Sequence, residues 1–124
     1  MILRSGIDII EIARFAEQKV QIRQRFFARV FTIRELSLIH NSNAMAAGRF
    51  AAKEAVAKAL GCGIGKVSWQ DIEILQHESG EPLLILHATA QQISDELGLE
   101  TWSISISHSR EYAIAMAMAI GSTP

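Results

Sequence analysis

Two alanine-rich segments with different periodicities constrain this fold more than any other feature of the sequence. Residues 44–60 (AMAAGRFAAKEAVAKAL) hold eight alanines and no proline, a composition that strongly favours a helix. Residues 112–120 (YAIAMAMAI) alternate instead, with four alanines on one face of a strand and tyrosine, isoleucine and methionine on the other. Because methyl side chains permit close approach, the simplest packing lays the helix on the alanine face of the strand.

The remaining segments predict short helices and antiparallel hairpins. Thr32 begins a helix with Glu35 three positions later, the capping-box arrangement in which each side chain satisfies a backbone donor of the other residue. The run GCGIG ends the long helix, because glycine readily adopts the left-handed conformation found there. We therefore expect one α+β domain over residues 1–124, an antiparallel sheet of hairpins with helices packed on one side. The other predicted strands are residues 2–10, 68–75, 83–86 and 101–107, and the other predicted helices are residues 12–29, as two short helices, and 87–98, with a loop at 40–43.

A single cysteine and the absence of a long apolar segment indicate where the chain works. Cys62 alone can form neither an intramolecular disulfide nor a CxxC metal or redox site. Asp8 and Glu11 interrupt the apolar run near the N-terminus, which is not the layout of a signal peptide. No segment approaches the roughly 20 apolar residues that span a membrane. We expect a soluble protein in the reducing cytoplasm.

Charge is distributed unevenly along the chain. The formal net charge is −1, so nothing global indicates nucleic acid or an anionic membrane as partner. Residues 12–34 nevertheless carry six basic residues against one acid, whereas residues 67–109 carry seven acids and no lysine or arginine. This asymmetry indicates either a basic face for an acidic partner or a solvated helix face.

Asp8 and Glu54 are acids in apolar surroundings. Asp8 lies in the run GIDII, where a dehydrated carboxylate costs several kcal/mol unless a cation or donors compensate. Glu54 lies on or beside the apolar stripe of the long helix, one turn before Lys58. The alternatives are a strand-end acid that faces water and an exposed Glu54–Lys58 pair. Two carboxylates without histidine or cysteine neighbours suit Mg²⁺, which is commonly completed by substrate phosphates, and Arg49, Lys53 and Lys58 would add positive charge for phosphoryl transfer.

The run GCGIGK is not a nucleotide-binding P-loop. Leu60 occupies the position of the first required glycine, and Val67 occupies the position where serine or threonine follows the lysine. The glycines either permit close approach of a ligand or cap the helix. His108 ends a strand of alternating serines, where it is either a structural residue or a donor to a phosphate.

Six segments in order resemble the holo-[acyl-carrier-protein] synthase family, the small bacterial phosphopantetheinyl transferases. The resemblance extends from Gly6 to Ile120, and the GIDI and RFAAKEA–KA motifs are its most specific parts. It implies the α+β transferase fold and a homotrimer with active sites between subunits. The segments are GIDIIEIARF, RVFTIRE, GRFAAKEAVAKALGCGIG, SWQDIEI, SGEP and SISHSREYAIA.

The resemblance also implies a reaction and a set of site residues. The 4'-phosphopantetheine group would pass from coenzyme A to a serine of apo-acyl carrier protein, with Mg²⁺ as cofactor, releasing adenosine 3',5'-bisphosphate and supporting fatty acid biosynthesis. A metal-bound water or a carboxylate would accept the serine proton. The implied roles are metal binding for Asp8 and Glu54, catalysis for these two and Lys58, coenzyme A binding for Arg49, Lys58, Gly61 and His108, and carrier-protein binding for Arg14, Arg25 and Arg29.

The chain departs from the family pattern at three places, and two other functions compete with this one. Cys62 replaces the usual threonine, the loop before Ala47 is a few residues shorter than usual, and the spacing between Arg14 and Arg25 is shifted by one residue. A metal-dependent hydrolase of small nucleotides would use the same carboxylates but would not explain the basic first third. A non-catalytic module that binds RNA would explain the arginines but not Asp8 and Glu54. The chain also lacks the pair of aromatic residues on a strand on which RNA bases would stack.

Overall fold

A long helix lies across one face of a three-stranded antiparallel sheet and next to a separate two-stranded hairpin. The structure, a computed structural model, describes residues 1–122. The strands are β1 (Ile2–Glu11), β2 (Ile72–Gln76), β3 (Pro82–Leu86), β4 (Leu99–His108) and β5 (Tyr112–Gly121). The helices are α1 (Ala13–Ala16), α2 (Val20–Val30), α3 (Ile33–Ile39), α4 (Asn43–Leu60) and α5 (Ala88–Glu96).

The strands form two sheets. The larger sheet has the order β1–β5–β4, and β2 pairs with β3 in the smaller one. In the larger sheet Asp8 pairs with Ala115, which in turn pairs with Ile106, so these three residues share one face. The predicted α+β class with antiparallel pairing is confirmed, and its hairpin strands divide between two sheets.

The packing of α4 on the alanine face of β5 is confirmed. The side chains of Ala113, Ala115, Ala117 and Ala119 are buried, whereas the residues that alternate with them are exposed on the opposite face. On β1 the backbone of Gly6 approaches the helix so closely that a Cβ atom there would lie 1.9 Å from the carbonyl oxygen of Ala55. The alanines and this glycine therefore set the distance between helix and sheet.

Most predicted boundaries hold, with two corrections. The capping box of α3 is present, since Thr32 N–H donates to Glu35 Oε1 at 2.8 Å and Glu35 N–H donates to Thr32 Oγ1 at 3.1 Å. Asn43 belongs to α4 and not to the preceding loop, because Ser42 Oγ accepts the Met45 N–H and caps the helix. The strand predicted from residue 68 begins only at Ile72, because residues 69–71 form a 3₁₀ turn.

The turn at residues 69–71 has a local cause. The Asp71 carboxylate accepts the Ser68 N–H at 3.2 Å, and the Asp71 N–H donates to the Ser68 carbonyl at 3.1 Å. Trp69 then stacks on Phe50 of α4 with ring centroids 4.7 Å apart. The alternation that predicted a strand is therefore overridden by a serine–aspartate turn and an aromatic contact.

We predict that Gly6→Ala destabilises the protein by on the order of 3 kcal/mol, because its methyl group would overlap rigid helix backbone. Gly48→Ala is the control. Its Cβ atom would meet only the Ile106 Cγ2 methyl group, 2.9 Å away, and alanine regains about 1 kcal/mol of helix propensity. Denaturant unfolding of both variants checks this, and equal stabilities would show that the close helix–sheet approach is unimportant.

Candidate active site

Asp8, Glu54 and Lys58 lie together where β1 passes beneath α4, and we call them the carboxylate cluster. Asp8 is on the α4-facing side of β1 and its side chain is 18% exposed. Lys58 Nζ donates to the Ile7 carbonyl oxygen at 2.8 Å and to Asp8 Oδ1 at 3.3 Å. The structure therefore brings together the three residues predicted to be catalytic.

The carboxylate cluster has an unmet need for positive charge. Asp8 Oδ2 is buried and has no hydrogen-bond partner among the described residues. Burial raises the pKa of Glu54, the nearby Asp8 charge raises it further, and Lys58 only partly opposes them. A cation that bound both carboxylates would satisfy the Asp8 oxygen and relieve the repulsion.

The donor set fits Mg²⁺. Two carboxylates and no thiolate or imidazole suit a hard cation, which keeps several waters or takes phosphate oxygens for its remaining positions. Within residues 1–122, no group of three or more histidine, cysteine, aspartate or glutamate side chains could hold a metal. A metal at the carboxylate cluster would therefore depend on ligands outside the described chain, such as water or a phosphate.

Gly61 closes the end of α4 next to the carboxylate cluster. Its backbone is left-handed with φ 78°, so glycine is favoured there. A Cβ atom at this position would lie 2.5 Å from Arg4 Nη2, and Arg4 Nε donates to the Ala59 carbonyl at 2.8 Å. Sequence reasoning missed Arg4, although its alternation with Gly6 and Asp8 along β1 places all three on the α4-facing side.

Arg49 lies on the other side of α4, in a cleft next to the β2–β3 hairpin. Its Nε donates to the Ile74 carbonyl oxygen at 3.1 Å, and the residue is 6% exposed. Burial lowers the pKa of Arg49, and the Glu35 charge partly restores it. The cleft has a volume of about 170 Å³, and we call it the arginine cleft; it is lined by Met45, Arg49, Leu75, Gln76, Gly80, Pro82 and Ile106.

The predicted coenzyme A residues consequently fall into two groups within one chain. Arg49 and Lys58 are nine positions apart, about 180° around a helix of 3.6 residues per turn. Lys58 contacts β1, at one edge of the larger sheet, whereas the arginine cleft contains Ile106 of β4, at the opposite edge. His108 is exposed at the end of β4. A single chain does not bring Arg49 and His108 to the carboxylate cluster.

The prediction that Lys53 supplies charge to a bound phosphate is wrong. Lys53 is fully buried, and its three ammonium hydrogens have three acceptors: Glu35 Oε1 at 2.8 Å and the carbonyl oxygens of Trp69 at 3.0 Å and Ile72 at 2.5 Å. No donor remains for a ligand. Neither its sequence neighbours nor the helical periodicity of α4 could identify Glu35 as its partner.

The basic first third divides into exposed and structural arginines. Arg14, Arg25 and Arg29 are exposed, and none of them pairs with a carboxylate among the described residues. Arg23 instead donates to the Phe15 carbonyl at 3.0 Å, the Asn41 carbonyl at 3.1 Å and Asn43 Oδ1. Its guanidinium also lies 4.2 Å from the centre of the Phe27 ring. Arg23 therefore fastens α2 to the start of α4.

Comparisons with known proteins agree with the fold. Residues 4–117 match the 4'-phosphopantetheinyl transferase superfamily. The holo-[acyl-carrier-protein] synthase of Moorella thermoacetica is 49% identical over 119 residues, 94% of this chain and 92% of that protein. The structure of the Helicobacter pylori holo-[acyl-carrier-protein] synthase in complex with coenzyme A superposes with a TM-score of 0.84 at 34% identity, over 94% of this chain and 99% of that one.

A second solved structure gives the same result. The holo-(acyl-carrier-protein) synthase of Bacillus anthracis, in complex with coenzyme A (3',5'-ADP), has a TM-score of 0.77 at 36% identity and 96% coverage of both chains. The fold and the match over residues 4–117 identify the chain as a 4'-phosphopantetheinyl transferase. Within that superfamily, the chain belongs to the holo-[acyl-carrier-protein] synthase family.

Helices that could cross a membrane are not found in the described part of the chain. The longest helix, α4, contains Arg49, Lys53, Glu54 and Lys58 within its 18 residues.

We predict that Glu54→Gln stabilises the metal-free protein at neutral pH. The pKa of Glu54 in the folded state is raised above its usual 4.5, so the unfolded state ionises Glu54 more easily than the folded state does. The free energy of unfolding therefore falls as pH rises from 4.5 through the raised pKa, and the full loss of stability is present above that pKa. Melting temperatures in EDTA should therefore be higher for Glu54→Gln at pH 7.5 and equal to wild type near pH 4. A less stable variant at pH 7.5 would contradict the proposed carboxylate repulsion.

Proposed function

We propose that this chain transfers the 4'-phosphopantetheine group of coenzyme A to a serine hydroxyl of apo-acyl carrier protein, in the cytoplasm and in support of fatty acid biosynthesis. The observation that carries the proposal is the carboxylate cluster, in which a buried Asp8 oxygen faces the same side of α4 as Glu54 and Lys58 and has no partner within residues 1–122. Family membership and relatives described as bound to coenzyme A support the choice of donor.

The reaction we propose is a phosphoryl transfer. The serine hydroxyl gives up its proton to a water or to one of the two carboxylates, and its oxygen forms a bond to the phosphorus that bears pantetheine. The bond from that phosphorus to the bridging pyrophosphate oxygen breaks, and adenosine 3',5'-bisphosphate leaves. Asp8 and Glu54 would hold Mg²⁺, which when bound neutralises pyrophosphate charge. Lys58, with a side chain 53% exposed, remains free to turn from Asp8 toward a phosphate oxygen.

We also propose that the working form is a homotrimer whose active sites lie between subunits. The outer face of the larger sheet is apolar and 40–61% exposed at the residues Leu3, Ile7, Ile9, Tyr112, Ile114, Met116, Met118 and Ile120. A hollow of about 420 Å³ that joins this face to Lys58 is lined by Ser5, Gly6, Ile7, Lys58 and Met116. A second subunit on this face would reach the carboxylate cluster and could present its own arginine cleft and His108 there.

The exposed arginines of the basic first third suit an acidic carrier. Arg14 lies in α1, three residues after the end of β1, and Arg25 and Arg29 lie one turn apart on α2. Because none of the three is neutralised within the described chain, their field would speed the encounter with an acidic protein and weaken with added salt. We assign these residues to carrier-protein binding.

The direct test incubates the protein with coenzyme A, Mg²⁺ and a purified apo-carrier protein. We expect the carrier to gain the mass of one phosphopantetheine group, and a carrier with its acceptor serine replaced by alanine to gain none. Hydrolysis of coenzyme A without a mass gain would favour the metal-dependent hydrolase. Intact coenzyme A and an unmodified carrier would favour a binding module.

The interface site is tested by mixing subunits that are damaged on opposite sides of α4. Asp8→Ala and Arg49→Gln should each be nearly inactive alone, whereas trimers co-assembled from equal amounts should recover about a quarter of wild-type activity, because about one interface in four joins two intact halves. The control mixes Asp8→Ala with Glu54→Ala, which damage the same half and should stay inactive. No recovery in the first mixture would place the whole site within one chain.

A further inference from the structure

In the part of the chain that the structure describes, strand β2 has one edge without a strand partner, and buried side chains occupy that edge. The strand pairs with β3 on one side only. On the other side the Ile72 carbonyl accepts from Lys53 Nζ at 2.5 Å, the Ile74 N–H donates to Glu35 Oε2 at 2.8 Å, and the Ile74 carbonyl accepts from Arg49 Nε at 3.1 Å. Three charged side chains from α3 and α4 thus take the place of a neighbouring strand.

The pair Glu35–Lys53 at this edge is isolated from solvent. Both side chains are fully buried, with 2.8 Å between Lys53 Nζ and Glu35 Oε1. Glu35 Oε1 also accepts the Thr32 N–H at 2.8 Å, so both oxygens of this carboxylate are bonded. Replacement of a buried ion pair by apolar residues is often neutral or stabilising, so stability alone is a weak reason for such a pair. What distinguishes it here is the geometry that it imposes on β2.

Ile74 connects this pair to the arginine cleft. Its N–H is held by Glu35, and its carbonyl orients the guanidinium of Arg49 through Nε. The β2–β3 hairpin beyond Ile74 supplies Gln76, Gly80 and Pro82 to the cleft wall. A shift of Ile74 would therefore move the guanidinium and the opposite wall together.

We propose that Glu35, paired with Lys53, is a positioning residue for coenzyme A. Through its hydrogen bond to Ile74, Glu35 fixes the positions of the β2–β3 hairpin and of the Arg49 guanidinium. These two elements then form the arginine cleft in the shape that receives part of coenzyme A. This inference rests on the proposed function, because it requires that Arg49 contacts coenzyme A.

The test is Glu35→Gln. The amide keeps the size of the carboxylate, but its NH₂ group must face either the Ile74 N–H or the Thr32 and Lys53 donors. At least one of these three hydrogen bonds is therefore lost. We expect the KM for coenzyme A to rise roughly tenfold, the size of effect seen when residues that orient a site are removed. The kcat should stay within about twofold and the KM for the carrier should not change, because the carboxylate cluster and the exposed arginines are untouched.

Glu73→Gln is the matched control. Glu73 is also a buried glutamate, in β2 itself, but it bonds Thr32, Arg34 and His87 and, within residues 1–122, makes no hydrogen bond to Lys53 or Arg49. It should lose stability and leave the KM for coenzyme A unchanged when assayed below its melting range. An equal rise in that KM for both variants would overturn the inference, because loosening of β2 in general would then explain it.

Two further measurements cover a Glu35→Gln variant that fails to fold. The double variant Glu35→Met/Lys53→Met leaves no unpaired buried charge, although it should melt below the wild type because backbone groups that the pair bonds lose their partners. Assayed below its melting range, it should retain the raised KM for coenzyme A, because the Ile74 N–H has lost its acceptor. In the wild type, the Ile74 amide should exchange with deuterium as slowly as the amides paired between β2 and β3. Fast exchange at Ile74, or a double variant with a normal KM, would overturn the inference.

Failure of this inference differs from failure of the proposed function. A wild-type protein that modifies no carrier refutes the proposed function and, with it, the role of Glu35 in coenzyme A binding. An active wild type whose Glu35→Gln variant keeps a normal KM for coenzyme A refutes the positioning role alone.

Discussion

Helix α4 can rest directly on β1 and β5 because the contact surface consists of alanine methyl groups and the bare backbone of Gly6. This close approach brings a helix carboxylate, Glu54, to a strand carboxylate, Asp8, and leaves one Asp8 oxygen buried without a partner among the described residues. The unmet need for positive charge at this site therefore follows from the way in which the core is packed.

The long helix α4 also separates the residues proposed to bind coenzyme A and its metal into two groups on opposite sides of the helix. Asp8, Glu54 and Lys58 lie toward the β1 edge of the larger sheet, and Arg49 lies toward β4 and the hairpin. An apolar sheet face borders the first group. If a second subunit covers that face, as we propose, burial of the apolar surface and completion of the active site are the same event, so that assembly would control activity.

The sequence was most informative where the interactions are local or periodic. Alternating alanines identified the buried face of β5, and the Thr32–Glu35 spacing identified the cap of α3, because both depend on neighbours within a few positions. It was misleading for Lys53 and silent on Arg4, whose partners are distant along the chain: Glu35 is 18 positions from Lys53, and Ala59 is 55 positions from Arg4. A lysine in a helix next to Glu54 has the same local pattern whether it binds phosphate or a buried carboxylate.

The central claim is that one active site combines the carboxylate cluster of one subunit with the arginine cleft of another. A crystal structure of the protein grown with coenzyme A and Mn²⁺, in which anomalous scattering locates the metal, tests it most directly. We expect the metal between Asp8 and Glu54 of one subunit and on the pyrophosphate, with the adenosine end against Arg49 and His108 of a neighbouring subunit. Coenzyme A held entirely within one chain, or a metal that contacts neither carboxylate, would contradict the claim.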